Sequence, residues 1–395
     1  MPPRPTLKSF LASARSCLAA PTAQRKGPIT FVVGNEAADL DSLCSAVVLA
    51  YIRSNSAPHT LHVPLSNIPR ADLALRTEMA AVLRHAGLAP ADLLTLSDLP
   101  SSLGPEDARW LLVDHNALTG PLARFADEVV GCIDHHVDEG VIASDAQPRI
   151  IEPCGSCISL IVHENRETWD EISAMDVEDG DAVAEDNKLV KLALAPILID
   201  TVNLTVASKV KDKDVSSLKY LQGKLQGEAF DLNAYFEEIA KVQQDISQLS
   251  LRDILRKDYK EWDESGIKLG ISSVPQLLDY LVSRDGGAEA LLDALKSWAE
   301  ERSLDVVSIM TASYRDNDFY RELLVWGLSA DGKAAVEEFV NVGQSLNLQP
   351  WQDGNLNHQG DRMAWHQGDR SSSRKQVAPL LRKAMANVKG RASPE

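Results

Sequence analysis

The chain has no apolar run approaching the ~20 residues that a bilayer-spanning helix requires, so a soluble, cytoplasmic protein with no membrane partner is expected. Cysteine is scarce. The five present (Cys17, Cys44, Cys132, Cys154 and Cys157) come without a secretory signal, which argues against a disulfide-stapled secreted fold and for free thiols in a reducing compartment. Cys154-Gly-Ser-Cys157 has a spacing used by redox and zinc sites, but no second pair completes a zinc tetrad. The same residues also read as a turn into a helix beginning near Ile158. Internal repeats and low-complexity tracts are missing, which excludes solenoid architectures. Acids are missing from the first 35 residues, which carry Arg4, Lys8, Arg15, Arg25 and Lys26. That pattern suits a transit peptide and mitochondrial import, or an ordinary helix with Leu7, Phe10, Leu11 and Leu18 inward, running into the first strand. An excess of positive charge is also missing. A formal charge of −17 opposes approach of polyanions, and no nucleic-acid partner is expected. Ten acids fall between Glu164 and Asp186 without regular apolar periodicity, a stretch that reads as a solvated, mobile insertion. The far end is basic instead, with Arg362, Arg370, Arg374, Lys375, Arg382, Lys383, Lys389 and Arg391.

At 395 residues the chain exceeds what one core usually carries, so two domains are expected. Strand-like runs near 29–34, 60–64, 109–113 and 128–133 alternate with helical stretches near 42–54, 71–87 and 121–126. This alternation predicts an α/β domain with a doubly wound parallel sheet. A helical pattern from Lys188 to about Thr201, kinked at Pro196, closes it, placing the first domain at 1–205. Long helices with polar faces then read as a connector over 206–257. A smaller α/β domain with a mixed sheet follows at 258–395. Its strands are expected at Lys268–Val274, Val306–Met310 and Leu323–Gly327, and its helices near 275–283, 287–300 and after Pro379.

What is abundant is acid and imidazole at the mouths of the first domain's strands. Ile29–Gly34 is followed by Asn35, Asp39 and Asp41; Arg109–Val113 by Asp114, His115 and Asn116; Glu128–Ile133 by Asp134, His135 and His136; and Leu192–Ile199 by Asp200 and Thr201. Ligands of doubly wound sheets sit beyond the carboxyl ends of the strands. Carboxylates with imidazoles suit divalent ions, and burying so many acids together is prohibitive unless cations neutralise them. Each motif has a blander reading. Asp39 or Asp41 is a good cap for the following helix, Asp114 could turn out to solvent, and His115 could orient a carboxylate rather than bind an ion. Ser371–Lys375 likewise is either an ordinary helix cap or a phosphate site of free amides and a guanidinium fork. Arg315 and Arg321 are candidates for lining a substrate channel. His59, His62, His85, His163, His358 and His366 read as surface or satisfied residues.

Taken in order, these motifs resemble the DHH phosphoesterase superfamily, and Asn35-Glu36 narrows the resemblance to the eukaryotic, fungal-type exopolyphosphatase branch. Ser373-Arg374-Lys375-Gln376-Val377-Ala378-Pro379-Leu380 resembles the substrate-binding element that those enzymes share with family II inorganic pyrophosphatases. The resemblance implies that Asn35, Asp39, Asp41, Asp114, His135 and Asp200 ligate two divalent ions, with Asp114 bridging them and Asn35 standing where pyrophosphatases have a histidine. Mg²⁺ is implied first, with Mn²⁺ or Co²⁺ as alternatives. It further implies Asp114, Asp134 and His136 as catalytic, with His136 facing phosphate, and Lys209, Ser373, Arg374 and Lys375 as substrate-binding. A leading helix and a glycine-serine loop at Cys154–Cys157 are also family features. The implied activity is hydrolysis of the terminal phosphate of inorganic polyphosphate by a monomer, in a cleft between the domains. Its rivals are an inorganic pyrophosphatase, a prune-like nucleotide phosphodiesterase, and a regulatory binding protein without turnover.

Overall fold

The computed structural model describes residues 3–21, 25, 27–227, 229–315 and 318–392, the last two of them by backbone alone. Lys26 and the Arg391 side chain, named above, lie outside the described residues. The chain forms two compact units, Met1–Gln243 and Gln244–Glu395.

The first unit runs α1 (Leu7–Ala19), β1 (Ile29–Val33), α2 (Leu40–Asn55), β2 (His62–Leu65), α3 (Thr77–His85), β3 (Ala108–Val113), β4 (Val129–Asp134), β5 (Arg149–Ile151), α4 (Cys157–Glu164), α5 (Arg166–Ser173), α6 (Ala182–Asp200), α7 (Asp212–Lys224) and α8 (Leu232–Gln244). Its five strands are all parallel, in the order β2-β1-β3-β4-β5. Side chains of a strand alternate between faces, and both faces are covered. Phe31 and Val33 pack with Trp110, Leu112 and Cys132 on one side, while Val32 packs with Leu111, Val113 and Ile133 against α2, α4 and α6 on the other. Helix α2 is apolar almost all round and buried accordingly. The leading segment is a true helix: Thr6 caps α1, and Leu7, Phe10, Leu11, Ala14 and Leu18 are buried. After β1 the chain winds outward to β2 and then returns to the other side of β1 for β3. The carboxyl ends of β1 and β3 therefore sit side by side at a topological switch point, where sheets of this kind open a crevice.

Residues 164–186 correct the expectation of a mobile insertion. They fold as α5 and the start of α6, because Trp169 and Ile172, three apart, supply a buried face that the surrounding acids mask in composition. Buried Glu185 accepts a hydrogen bond from Leu7 N (3.0 Å), and buried Arg4 pairs with Asp186 (2.7 Å). Helix α6 begins at Ala182, earlier than expected, and continues through Pro196 to Asp200. Of the stretch read as a connector, α7 and α8 belong to the first unit, where Leu218, Leu221, Tyr235 and Ile239 join its core.

The second unit contains α9 (Leu251–Lys257), β6 (Tyr259–Glu264), β7 (Ile267–Val274), α10 (Leu278–Val282), α11 (Gly287–Arg302), β8 (Val306–Arg315), β9 (Asp318–Gly327), α12 (Ala330–Val342), β10 (Leu348–Pro350), β11 (Arg362–Gln367) and α13 (Arg374–Ala392). The sheet order is β10-β11-β9-β8-β7-β6, with β7 and β8 parallel and every other pair antiparallel. One core holds side chains of α9, α10 and α11, and the other those of α12 and α13. The last helix starts five residues before Pro379. Ser373 and Gln376 form a capping arrangement there, Ser373 N donating to Gln376 Oε1 (2.9 Å) and Lys375 N to Ser373 Oγ (3.3 Å).

Candidate metal centre

The turn after β1 is tightly built. A Cβ on Gly34 would stand 2.5 Å from Ser42 Cβ, so only glycine lets α2 approach the strand end this closely. Ser42 Oγ accepts from Asn35 N (3.0 Å) and donates to Asp114 Oδ2 (2.7 Å). Ala38 has φ +44, and buried Arg76 holds the turn by donating to the carbonyls of Ala37 and Ala38. Asp39 is half-buried and caps α2 through Ser42 N (3.0 Å). Asp41 is 3 % exposed. Its oxygens accept from Cys157 N (2.5 Å), Ile158 N (3.0 Å) and Ser45 Oγ (3.1 Å), and two of these donors are the start of α4, where the helix dipole favours an anion.

Asp114 follows β3 directly, 2 % exposed with φ +61, a left-handed conformation that Asp tolerates at a cost. His135 follows β4. Its Nδ1 lies 3.0 Å from Cys154 O, its Nε2 3.0 Å from Asp114 Oδ1 and 3.9 Å from Asp41 Oδ2. A carbonyl only accepts, so Nδ1 donates to Cys154 and Nε2 is the nitrogen aimed at the carboxylates, free to ligate an ion once its own proton is displaced, as in a metal-ligating imidazole. His136 Nδ1 lies 2.7 Å from Asp134 Oδ1 and 3.7 Å from Asp114 Oδ1. Burial alone would raise the Asp134 carboxyl, but the hydrogen bond and charge of His136, with Asn116 Nδ2 at 2.6 Å, hold it well below the usual range. Asp134 also accepts from the backbone N–H of His135 and His136. It thus orients the His136 imidazole and fixes the backbone turn through His135.

Asp114, His135 and His136 offer one ligand atom each within 4.8 Å of one another. The donor set fits a divalent ion. Burial, then the charges of Asp114 and Asp39, push the Asp41 carboxyl up to about 7, against His135 and the Cys157 amide. Like charges crowded in a dry site are what a cation would relieve. The thiols do not compete: burial pushes Cys154 up to about 12 and raises Cys157 well above its usual value, and Cys157 Sγ donates to Ile133 O (3.2 Å). Protonated, satisfied thiols are inert, and Cys154–Cys157 forms the turn into α4.

The remaining sequence candidates lie as follows. Asn35 turns its Nδ2 to Asp114 (2.7 Å to Oδ2), while its Oδ1 accepts from Ala37 N (2.8 Å). Asp200 ends α6, and its charge adds, after burial and the charge of Asp41 and ahead of Asp39, to the raising of the Cys44 thiol. His115 is buried, with Nδ1 at 2.9 Å from Val113 O. Lys209 ends a short 3-10 turn whose last carbonyl abuts Gly155. In the second unit Arg374 holds Asp258 (2.7 Å), Arg315 pairs with Asp279, and buried Arg321 donates to Arg370 O (2.9 Å). Sequence reasoning named Asn116 at a strand mouth without giving it a role, and missed Ser42, Arg76 and Asp214 as parts of the site's scaffold. Only Asn116, adjacent to Asp114-His115, carried a signal by position.

Residues 29–184 match the model of the DHH family, N-terminal domain, and residues 237–384 match that of the DHHA2 domain. Across the whole chain the sequence is 32% identical over 390 residues to the Schizosaccharomyces pombe protein named "Putative exopolyphosphatase", covering 98% of this chain and 97% of that one. It is 28% identical over 397 residues to "Exopolyphosphatase PRUNE1" of Bos taurus, covering 96% and 80%. The solved structure of a Methanococcus jannaschii chain described as a "putative family II inorganic pyrophosphatase" shares the fold, with TM-score 0.60 and 22% identity over 90% of this chain and 99% of that one. The chain belongs to the DHH family, in the branch that carries a DHHA2 domain.

Proposed function

We propose that this protein is a metal-dependent exopolyphosphatase that releases orthophosphate from the end of inorganic polyphosphate. The observation that carries the reading is the buried set Asp41, Asp114 and His135 at the switch point, with the Asp41 carboxyl pushed up to about 7. The whole-length similarity to chains named exopolyphosphatases supports it. Asp39, Asp41, Asp114, His135 and Asp200 would hold two divalent ions. Bound there, such ions supply Lewis acidity that makes a water nucleophilic near neutral pH and offsets phosphoryl charge.

The chain's own residues do the rest. Asp134, held ionised, accepts the Nδ1–H hydrogen bond of His136 and stabilises the imidazolium, whose Nε2–H is left to donate to a phosphoryl oxygen. Ser373, Arg374, Lys375 and Lys209 would bind further phosphates, since phosphoryl transfer depends on positioning and electrostatics more than on covalent help. Asn35 presents an amide where a pyrophosphatase-like site would have imidazole, which favours hard ions such as Mg²⁺. A reducing compartment such as the cytoplasm is part of this reading, in keeping with five free cysteines.

Orthophosphate release from long polyphosphate, tripolyphosphate and pyrophosphate, measured side by side with Mg²⁺, tests it. Polyphosphate is expected to be the best substrate. Pyrophosphate in that place would overturn the choice in favour of an inorganic pyrophosphatase.

A further inference from the structure

Asp214, three residues into α7, is wholly buried. Its oxygens are accepting from four donors: Gly155 N (2.9 Å), Ser156 N (3.2 Å), Lys211 N (2.8 Å) and Cys154 Sγ (3.2 Å). The bond to Lys211 is ordinary helix capping and needs no other partner. The other three reach across some sixty residues of sequence and seize a single loop, 154–156. That loop is not idle. The carbonyl of Cys154 fixes the ring of His135 (3.0 Å), and the amides that follow, Cys157 N and Ile158 N, hold both oxygens of Asp41 (2.5 and 3.0 Å). One buried carboxylate thus anchors the segment that aims an imidazole and a carboxylate of the metal centre.

Gly155 makes the docking possible. A Cβ there would meet Lys209 O at 2.5 Å, Asp214 Oδ2 at 2.6 Å and Thr201 Cγ2 at 2.8 Å. The loop is pressed between the segment after α6 and the start of α7, with no room to shift toward either.

We propose that Asp214 is a positioning residue of the metal centre: by gripping the loop at Cys154–Ser156 it sets the tautomer and direction of His135 and the placement of Asp41, and so tunes affinity for the divalent ion. This rests on the metal-site reading above. It concerns a residue that touches neither ion nor substrate, and acts through two that do. Partners of this kind typically govern metal affinity by about 10- to 100-fold when removed.

Asp214→Asn is the direct probe. All four contacts are donors, so whichever way the amide turns, one oxygen position becomes an N–H facing N–H or S–H. The whole purified protein is titrated calorimetrically with Mn²⁺ at a temperature well below unfolding, and its metal-free Tm is recorded alongside. The expected result is Mn²⁺ binding weakened about tenfold or more. Gly155→Ala, which pushes the loop off Asp214 from the other side, should weaken Mn²⁺ similarly and keeps the test alive if Asp214→Asn fails to fold. Asp181→Ala, which removes the cap of α6 at Ala184 N (2.8 Å), supplies the pattern of a purely structural residue: lower Tm, unchanged Mn²⁺ affinity. If Asp214→Asn or Gly155→Ala follows that pattern, the positioning role is overturned and the metal site stands. If the unaltered protein binds no Mn²⁺, the metal site falls and this inference with it.

Discussion

The two units carry the charges of the proposed site in opposite ways. In the first, Asp41 and Asp114 are buried beside each other and held by backbone amides, hydroxyls and an asparagine. In the second, Arg374 stands at the start of a helix with 15% of its side chain exposed, paired to an Asp258 that is itself about a third exposed. A buried anion cluster is costly without its cation, and its groups cannot rearrange. Arg374 donates to both a carboxylate oxygen and the backbone carbonyl of Asp258, so in the proposed function it must exchange those bonds for a phosphate. Rigid, repelling carboxylates suit a resident metal; a guanidinium whose partner is about a third exposed suits, in that reading, a substrate that must come and go.

The most severe way to break the contrast is at Asp114. Asp114→Ala should lower orthophosphate release by several orders of magnitude and abolish tight Mn²⁺ binding, because both proposed ions share this ligand. Near-normal turnover would refute the two-ion site. Arg374→Ala should act on the other side of the comparison only, reducing kcat/KM for polyphosphate by about 10- to 100-fold while a Mn²⁺ titration stays as in the unaltered protein. A changed metal titration with unchanged phosphate kinetics would show the residue to be misassigned.

A smaller effect follows from Asp41. Its carboxyl lies at about 7 in the folded chain against an ordinary 3.8, so the folded state holds the proton that the unfolded state releases. The stabilisation from that proton is complete below about pH 4 and lost as pH rises through about 7. The metal-free Tm should therefore fall over that window, and Mn²⁺, which must displace the proton, should bind more tightly across it and level off above. A Mn²⁺ affinity flat between pH 5 and 7 would contradict the crowding of Asp41 by Asp114. The subtlest test is Asn35→His, which should move the metal ranking from Mg²⁺ toward Mn²⁺ or Co²⁺ and raise pyrophosphate hydrolysis relative to polyphosphate. An unchanged ranking, with only a lower Tm, would leave Asn35 as a turn residue whose amide serves Asp114 and Ala37.

Much of this is legible in the sequence. Alternating strand-like and helical runs predict the parallel sheet, and the placement of Asp114 and Asp134-His135-His136 at strand ends predicts their convergence, because a parallel sheet delivers all its carboxyl ends to one side. The acidic stretch misled for a compositional reason: ten acids dominate it, yet Trp169 and Ile172, the two buried residues of α5, suffice to seat a helix that neighbouring helices cover. Strands β5 and β10 are three residues each, too short for periodicity to register.

What the sequence determined by itself is therefore the local chemistry: which residues end strands, which cap helices, and that acids and imidazoles recur at those ends. Only the tertiary structure decided which of them are buried together and what holds them. Asp214 reads in sequence as one more acid in a polar run, and Cys157 and Ile158 as an apolar helix start. Their roles exist because contacts some sixty and more than a hundred residues apart bring a buried carboxylate to a loop and two amides to Asp41. No pattern along the chain encodes a long-range hydrogen bond whose donor is the backbone, since every residue but proline offers the same N–H.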